Sequence, residues 1–132
     1  DETIYNAADS RRRTIVIVTE SWEWYGQVGG VAFIGSMFWG DNTPCFVFSS
    51  LLGYNLKNIK EAASHEAGHT IGLRHQSVYD INCVKTAEYN PGKIMGVSYS
   101  VPLGMWWKGP DSISCDHIQD DVPFLTNKLG LK

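Results

Sequence analysis

A chain of 132 residues is long enough for one domain with a core of its own, and a net charge of −3 leaves no basic excess to meet nucleic-acid phosphates. No apolar run reaches membrane-spanning length, and no signal peptide opens the chain, although a secreted protein would already have lost one. Three cysteines allow at most one intrachain disulfide. Cys45 lies in an apolar run and reads as a small buried hydrophobe. Cys83 and Cys115 lie in polar, loop-like surroundings and are the pair to choose if any is bonded. None has C-x-x-C spacing, which argues against a cysteine zinc site.

Residues 1–10 are polar and suggest a frayed terminus or short turn. Arg11-Arg12-Arg13 reads as a solvated lead-in to a strand, with a processing site as the alternative. Residues 13–20 are rich in β-branched side chains and predict a strand covered on both faces. In the loop that follows, Trp22 and Trp24 read as packing anchors. Residues 31–38, bordered by glycines, predict a second strand, residues 40–44 a turn, and residues 45–49 a third strand.

A helix should start between Asn55 and Asn58. Asn58 with Glu61 has capping-box spacing, and Asn55 competes for the cap. Ile59, Ala62, Ala63, Glu66, His69 and Thr70 continue at helical spacing as far as Gly72. Small residues let this helix lie close to the sheet; Gly68, which costs about 1 kcal/mol against alanine, marks a tight contact. Residues 76–109 read as loops, uncommon at such length unless functional. Helical spacing returns over residues 114–129, with Pro123 required in the first turn and Asp116 or Asp120 as caps.

The chemistry concentrates in residues 65–75, His-Glu-Ala-Gly-His-Thr-Ile-Gly-Leu-Arg-His. His65 and His69, four apart, share one face of a helix. Gly72 can take the left-handed conformation that ends a helix, turning His75 back toward the same ion. Three neutral imidazoles and one open position suit a catalytic rather than a structural zinc, with water acidified to a pKa of about 7. Glu66 stands beside the ligands as general base and later general acid.

H-E-x-x-H-x-x-G-x-x-H followed by a methionine turn resembles the metzincin zinc peptidases, matched here by His65, Glu66, His69, Gly72, His75 and Met95. The resemblance implies an α+β fold: a small twisted mixed sheet packed on the active-site helix, then a loop-rich C-terminal subdomain with a Met-turn and a C-terminal helix. It implies one catalytic domain over residues 1–132, divided into 1–75 and 76–132. Met95 would form a hydrophobic floor under the metal without binding it. Residues 30–37 look like the edge strand of adamalysin-type members, making Val31, Ala32 and Phe33 candidates for pairing with substrate backbone.

The best likeness is to secreted bacterial members resembling matrixins and adamalysins. Gln76 stands where many members carry Asp, Glu, Ser or Pro, so the subfamily stays open. Astacins and serralysins place a tyrosine two residues after the methionine. Here Val97 occupies that place, and Tyr99, four residues on, is either a substrate donor or loop packing. The strand and backing helix that usually come first are not evident, so the chain is a minimal version or a processed or truncated core. Trp106-Trp107 would wall the cleft or anchor the fold, and His117 reads as a surface or capping residue. Asp120 and Asp121 could serve a calcium ion, but first-turn helix acids explain them better.

The function expected is that of a secreted, monomeric zinc metalloendopeptidase acting on peptides or proteins. The alternatives are a catalytically silent zinc-binding recognition or adhesion module and a zinc hydrolase of non-peptide amides.

Overall fold

The computed structural model describes residues 13–131. The expected terminal turn over residues 1–10 and most of the basic run therefore lie outside the described residues. Two compact units divide the chain, Asp1–Gly72 and Leu73–Lys132, and both mix small sheets with a helix in the α+β manner expected.

In the first unit, strands β1 (Val16–Thr19), β2 (Gly30–Val31) and β3 (Cys45–Phe48) form a mixed sheet in the order β1-β3-β2. β3 runs parallel to β1, with Val16 opposite Cys45 and Thr19 opposite Phe48, and antiparallel to β2, with Gly30 opposite Val47. As the central strand β3 is the buried one: Cys45, Val47 and Phe48 are each 0% exposed. β1 was expected to be covered on both faces. Instead Ile17 and Val18 are exposed; among the described residues β1 pairs with β3 alone and stands at the sheet edge. Trp24 packs edge-on against Phe46 and Phe48, with ring centroids 5.0 and 5.7 Å away, although the residue itself stays exposed.

The second strand is far shorter than residues 31–38. It stops at Val31, and a 3-10 turn occupies Ser36–Phe38. The cause is a tertiary hydrogen bond: Gly35 N–H donates to His69 O at 2.8 Å, meeting a carbonyl at the end of the following helix and drawing the chain out of the sheet.

That helix, α1 (Leu56–Ile71), is capped by Asn55 rather than Asn58: the Asn55 side chain accepts the Asn58 backbone N–H at 3.1 Å. Ala62 packs with Val47 and Leu52 in the core, flanked by Val16, Ile59 and Ala63, so one stripe of α1 rests on β3. Thr14 and Thr70 join their hydroxyls at 2.9 Å and tie the helix end to the start of the sheet. Gly68 is buried within α1.

The second unit contains the hairpin β4 (Val78–Tyr79) and β5 (Lys85–Ala87), the antiparallel pair β6 (Lys108–Pro110) and β7 (Ile118–Asp120), and helix α2 (Asp121–Leu129). Two features depart from the sequence reading. Part of the expected loop region is hairpin, and the first residues of the expected C-terminal helix are strand, because Ile118, Gln119 and Asp120 pair with Pro110, Gly109 and Lys108. Pro123 does fall in the first turn of α2, where its missing N–H has no intrahelical acceptor to disappoint. A disulfide joins Cys83 to Cys115 across a Cα separation of 5.4 Å, and Cys45 is free and buried. Among the described residues no helix is long and apolar enough to cross a membrane.

Candidate metal centre

His65 and His69 lie one turn apart on α1, with ring centroids 4.7 Å apart and ring planes nearly perpendicular. Their Nε2 atoms are 3.1 Å apart. Two imidazole nitrogens held at about 2.0–2.1 Å on one tetrahedral ion stand roughly 3.3 Å apart, so this spacing is that of a ligand pair. Gly72 ends the helix with φ at 128°, and its N–H is shared between Gly68 O and His69 O. A side chain is strained at that φ, which is why glycine stands where the chain leaves the helix. His75 follows three residues later, and ligand nitrogens of His65, His69 and His75 all lie within 4.8 Å of one another. The donor set suits zinc: three imidazoles and, among the described residues, no fourth protein ligand in the cluster.

Glu66 follows the first histidine and is only 6% exposed. Burial pushes its carboxyl up to about 8, since a charged carboxylate loses water solvation that little here replaces. A dication on the neighbouring imidazoles would favour the charged form again. The residue that accommodates Glu66 is Gly30 on β2. A Cβ at Gly30 would come within 2.6 Å of Glu66 Oε1, 2.8 Å of Glu66 Cγ and 2.8 Å of the Phe46 carbonyl oxygen. The strand can therefore lie against the carboxylate only because position 30 has no side chain. Cys45 is close enough for Glu66 to help raise its thiol to about 12, although burial contributes more.

Of the proposed substrate-pairing residues, Val31 belongs to β2 opposite Phe46, while Ala32 and Phe33 lie beyond the strand. Phe33 is exposed and rests against Trp39 at 5.5 Å. Met95 is fully buried in a tight turn closed by Gly96 N–H to Lys93 O at 3.1 Å. The Met95 carbonyl accepts the N–H of Gln76, the residue after the third histidine, at 2.7 Å. Tyr99 is partly exposed in the next turn.

Sequence reasoning missed a buried polar network behind His75. The Gln119 side chain grips the Arg74 backbone twice: its Oε1 accepts the Arg74 N–H at 2.8 Å and its Nε2 donates to Arg74 O at 2.9 Å. Gln76, on the other side of His75, is 0% exposed, and its Nε2 lies 3.0 Å from both Trp107 O and Asp121 Oδ1. Asp121 Oδ1 also accepts from Gln119, and Asp121 Oδ2 from the Trp107 N–H. Burial raises the Asp121 carboxyl while these donors hold it down, the burial being the stronger. Asp121 is the first-turn acid expected for α2 and is at the same time a buried hub for N–H groups. Trp107 is likewise an anchor, with Lys93 Nζ 3.4 Å from its ring centroid. His117 is held through Nδ1 by buried Asp111 at 2.7 Å. Gln76 carried a signal, as an uncharged amide beside a ligand, but nothing in the sequence linked it to residues 119 and 121.

Three imidazoles and a buried carboxylate on one helix and the turn that leaves it are the equipment of a metallohydrolase. The family model described as Metallo-peptidase family M12B, reprolysin-like, matches residues 5–76, more than half of the chain, and the protein belongs to that family. No curated protein and no solved structure matches it.

Proposed function

We propose that the protein is a secreted, zinc-dependent endopeptidase of the metzincin type, with His65, His69 and His75 as ligands. The observation that carries this is the three-histidine cluster on and after a helix that also bears the buried Glu66, in a chain of a metallopeptidase family. Bound zinc supplies Lewis acidity, which acidifies water near neutral pH and polarises a carbonyl under attack.

Glu66 is the general base. It takes the proton of the attacking water onto its carboxylate and passes it to the amine nitrogen as the peptide bond breaks. Its burial keeps bulk water from competing for that proton. Gly30 lets the edge strand β2 lie against this carboxylate, and among the described residues β2 has one sheet neighbour. Its other edge offers backbone groups to an extended peptide, a mode of binding that demands little of the substrate's sequence. Val31 supplies contacts from that edge, and Ala32 and Phe33 supply them from the segment just beyond it. Met95 is the Met-turn residue, a role supported by its complete burial in a turn bonded to Gln76. The Cys83–Cys115 disulfide supports an oxidising, extracellular setting.

Metal analysis with a broad peptide-library digest tests this. Wild type should hold one equivalent of zinc and cleave internal peptide bonds, and Glu66→Ala should retain the metal and lose cleavage. Zinc without any peptide cleavage in wild type would instead favour a recognition module or a hydrolase of non-peptide amides.

A further inference from the structure

The third ligand is the least constrained by its own secondary structure, since His75 lies outside α1 and outside every strand. Its ring is nevertheless engaged: Nδ1 lies 3.2 Å from Glu88 Oε1. The other carboxylate oxygen of Glu88 accepts from Lys85 Nζ at 2.9 Å, and the same ammonium donates to the Ser112 carbonyl at 2.9 Å. Ser77 Oγ donates to the Glu88 backbone carbonyl at 2.8 Å, and the Tyr89 ring stands edge-on to His75 with centroids 4.7 Å apart.

The hairpin explains how residue 88 reaches residue 75. Val78 pairs with Ala87, so continuing the antiparallel register sets Ser77 beside Glu88. Side chains two apart on an extended segment point the same way, which brings His75 to the same side as Ser77.

From this geometry we infer that Glu88 is a positioning residue that fixes the tautomer and orientation of His75, with Lys85 holding Glu88 in place. A carboxylate facing Nδ1 can only accept, so the ring proton resides on Nδ1 and the lone pair on Nε2 is presented to the metal. Both side chains are partly open to solvent, so the contribution is one of geometry and ligand basicity rather than of ion-pair strength. The inference rests on the zinc reading proposed above.

The test measures zinc affinity by chelator competition in wild type, Glu88→Ala and Glu88→Gln, alongside nitrogen-15 imidazole spectra of the zinc-loaded and metal-free proteins. Losing such an outer partner weakens metal binding by about 10–100-fold, which is the loss expected for Glu88→Ala. Glu88→Gln keeps a carbonyl acceptor and should recover much of that loss. Zinc-loaded wild type should show His75 protonated at Nδ1. Wild-type affinity in a folded Glu88→Ala, or an Nε2-protonated His75 in zinc-loaded wild type, overturns the inference and leaves the zinc reading intact. A wild type that holds no zinc overturns both. If Glu88→Ala does not fold, the wild-type imidazole spectrum and Glu88→Gln decide the matter.

Discussion

Replacing Gly30 with alanine perturbs the strand that lies against Glu66. The added methyl would sit 2.6 Å from Glu66 Oε1 and 2.8 Å from the Phe46 carbonyl oxygen, where ordinary contact begins near 3.4 Å. The carboxylate can swing aside, but the Phe46 oxygen belongs to the central strand β3, which is paired on both sides. Relief therefore requires β2 to move away from β3, whether or not Glu66 gives up its position. Overpacking of this kind costs about 1–3 kcal/mol. In a chain of this size that lowers the melting temperature by roughly 3–12 °C. Peptide turnover should fall more steeply than stability, because displacement of about 1 Å at a reacting group can cost on the order of 10²-fold in rate. Thermal unfolding of Gly30→Ala, Glu66→Ala and the double variant apportions the clash. A positive coupling between the two sites assigns it to Glu66, and additivity assigns it to the Phe46 backbone. Wild-type melting temperature and wild-type turnover in Gly30→Ala would refute the close-approach reasoning.

Two further outcomes follow from burial. Cys45 is 0% exposed with its thiol raised to about 12, so the native protein should be inert to a thiol reagent at pH 8 and should react only as fast as it unfolds; rapid labelling of the folded protein would contradict this. Asp121→Ala strips an acceptor from the Trp107 N–H and from the buried amides of Gln76 and Gln119, and should cost about 2–4 kcal/mol in urea unfolding, against less than about 0.5 for an exposed control such as Glu23→Ala.

Much of the first unit could be read directly from the chain. The run of small and apolar residues at helical spacing, its asparagine start and its glycine stop all act within a few residues of one another, so local physics decides them. The strand ends were less legible. β2 stops at Val31 because a helix carbonyl more than thirty residues away captures the Gly35 N–H, and no hydrophobic pattern reports such a bond. Ile118 and Gln119 likewise fit the helical spacing, yet they pair with Pro110 and Gly109 of β6, and a strand partner is not reported by local periodicity.

What the amino-acid sequence determined by itself is the ligand set and its spacing: two imidazoles a helical turn apart, a glycine that ends the helix, and a third imidazole just beyond it. Those relations are short-range, set by 3.6 residues per turn and by the backbone freedom of glycine. Only the tertiary structure decided what surrounds them. It set Gly30 against Glu66, Glu88 at the Nδ1 of His75, and the Gln119 amide on the Arg74 peptide. Each of these joins separate segments of the chain through a single close approach or one or two polar contacts, and such contacts leave no period or spacing in the chain.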